Sequence, residues 1–474
     1  MKIKTLHLTN YWHERSGGIA TFYRHLLDAA FRSERLMALV VPGPCDEVRR
    51  IGPHCTVYQI AASHSMFNCE YRTIYPRDYL LPGSKIQRIL IRERPDLIEI
   101  CDKYSLLYLA PLLRHRLLEG LNFRPVVTAL SCERMDENFA AYVSRSGWGR
   151  AFCRWYMRNL YFKFFDHHVA VSENTADEWR AVSDGDCVER GVWVRHLGVD
   201  TEVFSRAKRS SYLRRTLVDR CQASPNAVLL LYAGRVVPEK NLELLLATME
   251  ALAKQPQDFR LLIVGDGIAR EAMRRDAEKR VPGKICFIGH IGDREQLSRI
   301  YASCDFFLHP NPHEPYGIAP LEAMASGLPL IAPNCGGVAS YANEQNAYPV
   351  APTAEAFASA VLNGLRDETG RSKRAIAARA TAESLSWPSV TQSYLSLYET
   401  LHAVATGRKS IQEAAPAFCS TKATAAQARR IEIAASWAKK GFSSYAAAHS
   451  LWRRIRPQVE APLYQPELEA TRPK

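Results

Sequence analysis

The chain has 474 residues, 47% of them hydrophobic, and a formal net charge of +13. That length predicts two or more domains, and no apolar run approaches the ~18 residues that span a bilayer. The basic balance favours phosphate-bearing partners without choosing among nucleotides, anionic lipid and nucleic acid. The 12 cysteines include no Cys-x-x-Cys pair and no Cys/His cluster at zinc spacing, so residues such as Cys286 and Cys304 read as small core hydrophobes.

The amino-terminal run Met1-Lys2-Ile3-Lys4-Thr5-Leu6-His7-Leu8 is strand-like and carries no signal-peptide pattern. A cytoplasmic protein is expected, with the inner membrane face as its place of peripheral contact. Apolar runs predict strands at Ile3–Leu8, Leu36–Val41, Leu97–Ile100, Val126–Leu130, His168–Ser172 and Val192–His196. Helical spacing fills Ile19–Phe31, Leu106–Leu118, Asn138–Phe165 and Thr175–Val182. A polar, basic stretch near 205–225 reads as a linker. A second alternation follows, with strands at Val228–Ala233, Arg260–Val264, Ile285–Ile288, Asp305–Leu308 and Pro329–Ala332. Its helices lie near Leu242–Ala253, Ala269–Lys279, Arg294–Ser303 and Ile318–Ser326. Strand–helix alternation of this kind predicts two doubly wound α/β domains with parallel sheets. From residue 405 onward, twelve Lys/Arg against five Asp/Glu make a basic, Ala-rich tail with a Pro-rich end.

The chemistry concentrates in Glu314-Pro315-Tyr316-Gly317-Ile318-Ala319-Pro320-Leu321-Glu322-Ala323-Met324-Ala325-Ser326-Gly327. Pro320 is tolerable only in a helix's first turn, so the helix starts near Ile318 and ends at Gly327. Its first turn offers the amides of Gly317, Ile318 and Ala319 to an anion. Ionised Glu314 and Glu322 only accept hydrogen bonds and so suit hydroxyls. Amides for phosphate beside carboxylates for vicinal hydroxyls describe a nucleotide-sugar site. Upstream, Arg235 and Lys240 share the loop Gly234-Arg235-Val236-Val237-Pro238-Glu239-Lys240-Asn241, with Asn241 placed to cap the next helix. Two cations at the carboxyl end of a sheet suit a diphosphate.

The whole string from Glu314 to Gly327 resembles the spaced-glutamate signature of the retaining glycosyltransferases of family 4, which have the two-domain GT-B fold. The resemblance covers residues 1 to about 405. It implies an N-terminal acceptor-side domain (1–205), a linker (206–226), a nucleotide-sugar domain (227–380) and a helix (381–405) crossing back, with the tail (406–474) outside. It assigns Arg235, Lys240 and Glu314 to the reaction centre and Glu322 to the ribose diol. Gly17, Gly18, Gly234, Gly265, Gly267, Ile288, Gly289, Tyr316, Gly317, Ile318 and Ala319 fall on donor-binding positions, with the base edge read by backbone near Ile288 and Gly289. Glu99, Asp102, Cys132, Glu133, Arg134 and Asp136 fall on the acceptor side. Many relatives carry a histidine where this chain has Cys132, and a thiol does not replace imidazole as a proton carrier.

The implied activity is transfer of a hexose from a nucleoside-diphosphate sugar, GDP-mannose or a UDP-hexose, to a glycan or lipid-linked acceptor, with retention. No cofactor and no metal are expected. The Asp184-Gly185-Asp186 run reads as a turn, and His13, His309 and His313 lack metal-ligand spacing. Nucleic acid is not an expected partner; contact with an anionic membrane is. Arg150, Arg154 and Arg158 recur among aromatics from Trp148 to Phe165, a pattern of interfacial helices. The ordinary alternative, a helix packing its aromatics on the sheet with arginines outside, is the preferred reading. A sugar-nucleotide epimerase or phosphorylase fits the fold but not the glutamate signature. A non-catalytic nucleotide-sugar-binding protein docked through its basic tail is the reading from another class.

Overall fold

The structure, a computed structural model, describes residues 2–12, 17–65, 71–142, 147–183 and 192–410. His13, Ser16, the Asp184-Gly185-Asp186 run and the tail from 411 lie outside the described residues.

The first sheet is built from Thr5–Thr9 (β1), Met37–Gly43 (β2), Glu47–Ile51 (β3) and Cys55–Ala61 (β4). A small separate ribbon, Ser63–His64 (β5) with Arg72–Thr73 (β6), follows. The sheet continues with Leu97–Cys101 (β7), Val126–Ser131 (β8), His167–Ala170 (β9) and Val192–Val194 (β10). The order is β10-β9-β8-β7-β1-β2-β4-β3, parallel except for β3 against β4. Helices cover both faces, so Leu6, Leu8, Ile98, Ile100 and Val127 are fully buried and the strands read as unbroken apolar runs.

The second sheet holds Val228–Ala233 (β11), Phe259–Val264 (β12), Ile285–Gly289 (β13), Phe306–Leu308 (β14), Leu330–Pro333 (β15) and Tyr348–Val350 (β16). It is parallel throughout, in the order β13-β12-β11-β14-β15-β16. In both sheets the order reverses beside the first strand, at β1/β7 and at β11/β14. Loops diverge there and leave a crevice at the strands' carboxyl ends.

The two crevices face each other. Ser172, just after β9, donates to the Pro315 carbonyl at 2.6 Å. Tyr316 OH donates to the Leu197 carbonyl, beyond β10, at 2.6 Å. The helix Trp387–Ala405 lies against the first domain, where Trp387 and Tyr394 pack on Phe22 with ring centroids 6.5 and 4.7 Å away.

Several elements differ from the sequence expectation. β3 and β4 were not anticipated; β3, Glu47–Ile51, is an exposed edge whose charges discourage further pairing. The stretch 205–225 is not a plain linker. It contains the helix Ser211–Arg220, capped by Ser210 through the Leu213 amide. Leu217 and Val218 are buried, and Arg214 pairs with Asp305 at 2.8 Å, so its polar residues are the outer face of a packed helix. The single helix expected over 138–165 departs from regular α geometry among the described residues after Tyr156. It runs as Met135–Tyr142, Gly147–Tyr156, a wide π turn Met157–Tyr161 and a 3-10 turn Phe162–Phe164. The widened turn brings Phe162 flat onto His168 at 4.3 Å.

Candidate active site

The β11/β14 crevice is formed by the two loops that carry the charged motifs. From β11 the chain turns through Gly234 into a 3-10 turn, Pro238–Lys240, and delivers Lys240 inward. From β14 it runs through His309 and Glu314 to Gly317, whose φ of 88° starts the helix Ile318–Ala325. Lys240 Nζ lies 2.7 Å from Glu314 Oε2. Asn311 Nδ2 donates to the same oxygen at 3.3 Å, and His309 Nε2 stands 3.9 Å away. Burial pushes the Glu314 carboxyl up, but Lys240, His309 and Asn311 outweigh it and hold the pKa at about 2. His309 is driven down to about 4, by burial against the pull of Glu314, and is neutral at neutral pH.

Glu322 sits one turn into the helix, with Tyr301 OH donating to Oε2 at 3.2 Å and Arg294 Nη2 3.8 Å from Oε1. Burial raises its pKa to about 7 despite these partners. Arg235 is exposed and reaches Glu239 at 3.3 Å.

The helix N-termini of the two domains converge. A Cβ on Gly18, at the start of Gly18–Arg32, would fall 2.8 Å from Cδ1 of Ile318. Gly17 has nothing within 4 Å of its missing Cβ. The start of one helix thus packs against the start of the other, Gly18 against the Ile318 side chain.

The other glycines serve the backbone. A Cβ on Gly265 would meet the Gly234 carbonyl oxygen at 1.9 Å, and one on Gly267 the Val236 oxygen at 2.4 Å. The space left by their hydrogens is therefore taken by the Lys240 loop, with Gly234 N–H on the Val264 carbonyl and Val236 N–H on the Asp266 carbonyl. At the end of β13, the Ile288 carbonyl accepts from Arg220 at 3.4 Å and the Gly289 carbonyl from the Gly265 amide at 2.9 Å.

Some assigned residues have other work. Tyr316 is buried with its hydroxyl on the Leu197 carbonyl, which joins the two domains; Ala319 and Ile318 stay half-buried at the helix start. Asn241 does not cap the following helix. It takes a left-handed φ of 53° and donates to the Pro310 carbonyl at 3.0 Å, tying the Lys240 loop to the Glu314 loop.

On the acceptor side, Glu99 is not a hydroxyl acceptor at the surface. It is fully buried, and His7, Tyr23 and Tyr398 occupy its two oxygens. Asp102 is also taken: Oδ1 accepts the amides of Tyr104, Ser105 and Leu106, and Oδ2 accepts from Asn10 at 3.1 Å. Arg134 and Asp136 pair with each other through two contacts of 3.0 and 2.7 Å. Cys132 is half-buried with Sγ 3.9 Å from that of Cys101. Glu133 is half-buried and accepts from Tyr11 OH and from Asn138 Nδ2.

The sequence reading missed residues that shape this site. Gly336-Gly337 follows β15, and a Cβ on Gly337 would lie 2.0 Å from the Pro315 oxygen. Its amide donates to the Glu314 carbonyl at 2.6 Å. The glycine pair after a strand was the available signal. Asn311, Arg294 and Tyr301 had none, because their roles depend on packing. Glu137 meets His313 across the domains at 3.4 Å, which raises the His313 pKa.

The family described as Glycosyltransferase Family 4 matches residues 16–203, and that described as Glycosyl transferases group 1 matches 219–382. A GDP-mannose-dependent alpha-(1-6)-phosphatidylinositol dimannoside mannosyltransferase of Mycobacterium tuberculosis is 26% identical over 393 residues, 83% of this chain and 95% of that protein. Sucrose-phosphate synthase from Thermosynechococcus elongatus superposes with a TM-score of 0.65 at 21% identity, covering 85% of this chain and all of that one. Anabaena HepE in complex with UDP gives 0.60 at 15% identity, covering 84% of this chain and 100% of that chain. The chain belongs to the group 1, family 4 glycosyltransferases. It has their GT-B fold, and it is a hexosyltransferase.

Proposed function

We propose that this enzyme moves a hexose, with retention, from a nucleoside-diphosphate sugar to a hydroxyl of a glycan or lipid-linked acceptor, in cell-surface polysaccharide or glycolipid synthesis. The observation that carries the reading is the Lys240–Glu314 pair at 2.7 Å in the β11/β14 crevice, beside two convergent helix N-termini. Lys240 and Arg235 neutralise the departing diphosphate, where charge develops in the transition state. Glu314 accepts from sugar hydroxyls and Glu322 from the ribose diol. Amides of Gly18, Gly317 and Ile318 border the phosphates. The leaving phosphate takes the acceptor's proton on the same face, and the two cations replace a metal. GDP-mannose stands first as donor because the mycobacterial relative is named for it. A UDP-hexose stands second because the Anabaena structure is a complex with UDP.

The test is incubation of the purified chain with GDP-mannose and UDP-hexoses, together with free and lipid-linked glycan acceptors, and assignment of the product anomer by NMR. An α-linked product from an α-linked donor supports the reading. A β-linked product contradicts retention, and absence of turnover with every donor contradicts the site.

A further inference from the structure

Two thiols meet beside the crevice of the first sheet. Cys101 is the last residue of β7, and Cys132 follows the last residue of β8. These strands are parallel neighbours, paired up to Ile100 and Ala129, so both cysteines stand at the sheet's carboxyl end. Their Sγ atoms lie 3.9 Å apart, and both thiols are free. Cys101 is 1% exposed, whereas Cys132 is half-buried. Burial, with Cys132, Glu99 and Glu133 around it, holds the Cys101 thiol well above its ordinary pKa, so it stays protonated until a partner reacts.

We propose that Cys101 and Cys132 are an oxidisable pair whose reversible disulfide closes the acceptor side to substrate. The oxidant is a peroxide. The Cys132 sulfur attacks one peroxide oxygen and the O–O bond breaks, leaving a sulfenic acid and, with the thiol's proton, one water. The Cys101 sulfur then attacks the Cys132 sulfur, and hydroxide leaves with the Cys101 proton as a second water. Two thiols lose two protons and two electrons, and the peroxide gains them. A disulfide holds its sulfurs about 2 Å apart, so the pair must draw together against loops that are tied down. Ser131 Oγ at 2.9 Å and Lys103 Nζ at 2.5 Å donate to the Glu133 carbonyl. On the other strand, Asp102 gathers the amides of Tyr104, Ser105 and Leu106. The segment after Cys132 also reaches the second domain through Glu137, 3.4 Å from His313 and thus next to Glu314. Movement of Cys132 therefore shifts Glu133 and Glu137 across from Glu314. The consequence for turnover rests on the function proposed above; the disulfide itself does not. Where thiols are kept reduced, such a bond is transient and suits sensing.

The test treats the full reduced chain with hydrogen peroxide and maps its cysteine peptides by mass spectrometry. Wild type gives a cross-linked Cys101–Cys132 peptide pair, short of two hydrogens, that dithiothreitol reverses. With the bond formed, acceptor-dependent turnover falls at least ~tenfold, since a misplacement of ~1 Å costs up to ~10² in rate. Nucleotide binding to the second domain is unchanged, and dithiothreitol restores turnover. In Cys101→Ala the reduced enzyme keeps its turnover, and peroxide leaves Cys132 as the sulfenic acid, which dimedone traps in this variant and far less in wild type. Cys132→Ala forms neither product; because peptide mass is the readout, it serves even where Cys101→Ala does not fold. Absence of the cross-linked pair while the exposed Cys45 and Cys335 are oxidised overturns the proposal. So does a complete cross-link with undiminished turnover. If the reduced chain turns over no acceptor, the function reading fails, and the peptide map still decides the disulfide.

Discussion

Lys240 and Glu314 lie 74 residues apart in the chain, yet their side chains meet at 2.7 Å at the point where the strand order of the second sheet reverses. The contact links loops leaving β11 and β14, so it measures the closure of the crevice itself. Asn241 reinforces it from the neighbouring position through the Pro310 carbonyl.

This pair predicts a specific kinetic pattern. Lys240→Met and Glu314→Gln each lower kcat/KM by about 10²–10³, the range for removing a preorganised charge partner. The double variant falls little below the worse single one, because each residue needs the other in place. Steady-state kinetics on the four proteins checks this, and additive losses would show independent roles.

The two signature glutamates give opposite pH dependences of stability. The folded pKa of Glu314 is lowered from 4.5 to about 2. Its contribution is present above the unfolded value and is lost as pH falls from near 4.5 toward 2. The folded pKa of Glu322 is raised from 4.5 to about 7. Its contribution is present below 4.5 and is lost as pH rises toward 7. Melting curves across pH therefore separate them. Glu322→Gln gains melting temperature relative to wild type on the neutral side, whereas Glu314→Gln removes part of the acid-limb loss.

Gly337→Ala is expected to be severe. Its Cβ would lie 2.0 Å from the Pro315 oxygen and 2.3 Å from that residue's carbonyl carbon, both backbone atoms that cannot rotate aside. A loss of about 2–4 kcal/mol in unfolding free energy follows from forced overpacking, together with displacement of Glu314. Gly17→Ala, with open space around it, keeps wild-type stability. Denaturant melts of both variants check the contrast.

Chelation provides another check. Turnover is expected to be unchanged by EDTA, with Arg235 and Lys240 carrying the charge of the diphosphate. A loss restored by a divalent cation would assign that charge to a metal instead.

What the sequence disclosed follows from how local each feature is. The strands Val228–Ala233 and Leu97–Cys101 were legible because burial on both faces leaves an apolar run. The order of Glu314, Gly317 and Glu322 was legible because a helix start fixes their spacing. Glu99 was misread because the residues that occupy it, His7, Tyr23 and Tyr398, are distant in the chain, Tyr398 by 299 positions. The contact of the Tyr316 hydroxyl was not legible for the same reason: its partner Leu197 belongs to the other domain. The helix Ser211–Arg220 was missed because its buried face is narrow and its outer face is rich in charge.

Placement of the reaction beside Lys240 is tested by the rate of donor consumption by wild type and by Lys240→Met, with nucleotide affinity measured on both. Lys240→Met is expected to keep the fold, bind the nucleotide diphosphate at least ~tenfold more weakly and lose kcat as well. Wild-type affinity and turnover in Lys240→Met would contradict placement of the reaction in the β11/β14 crevice.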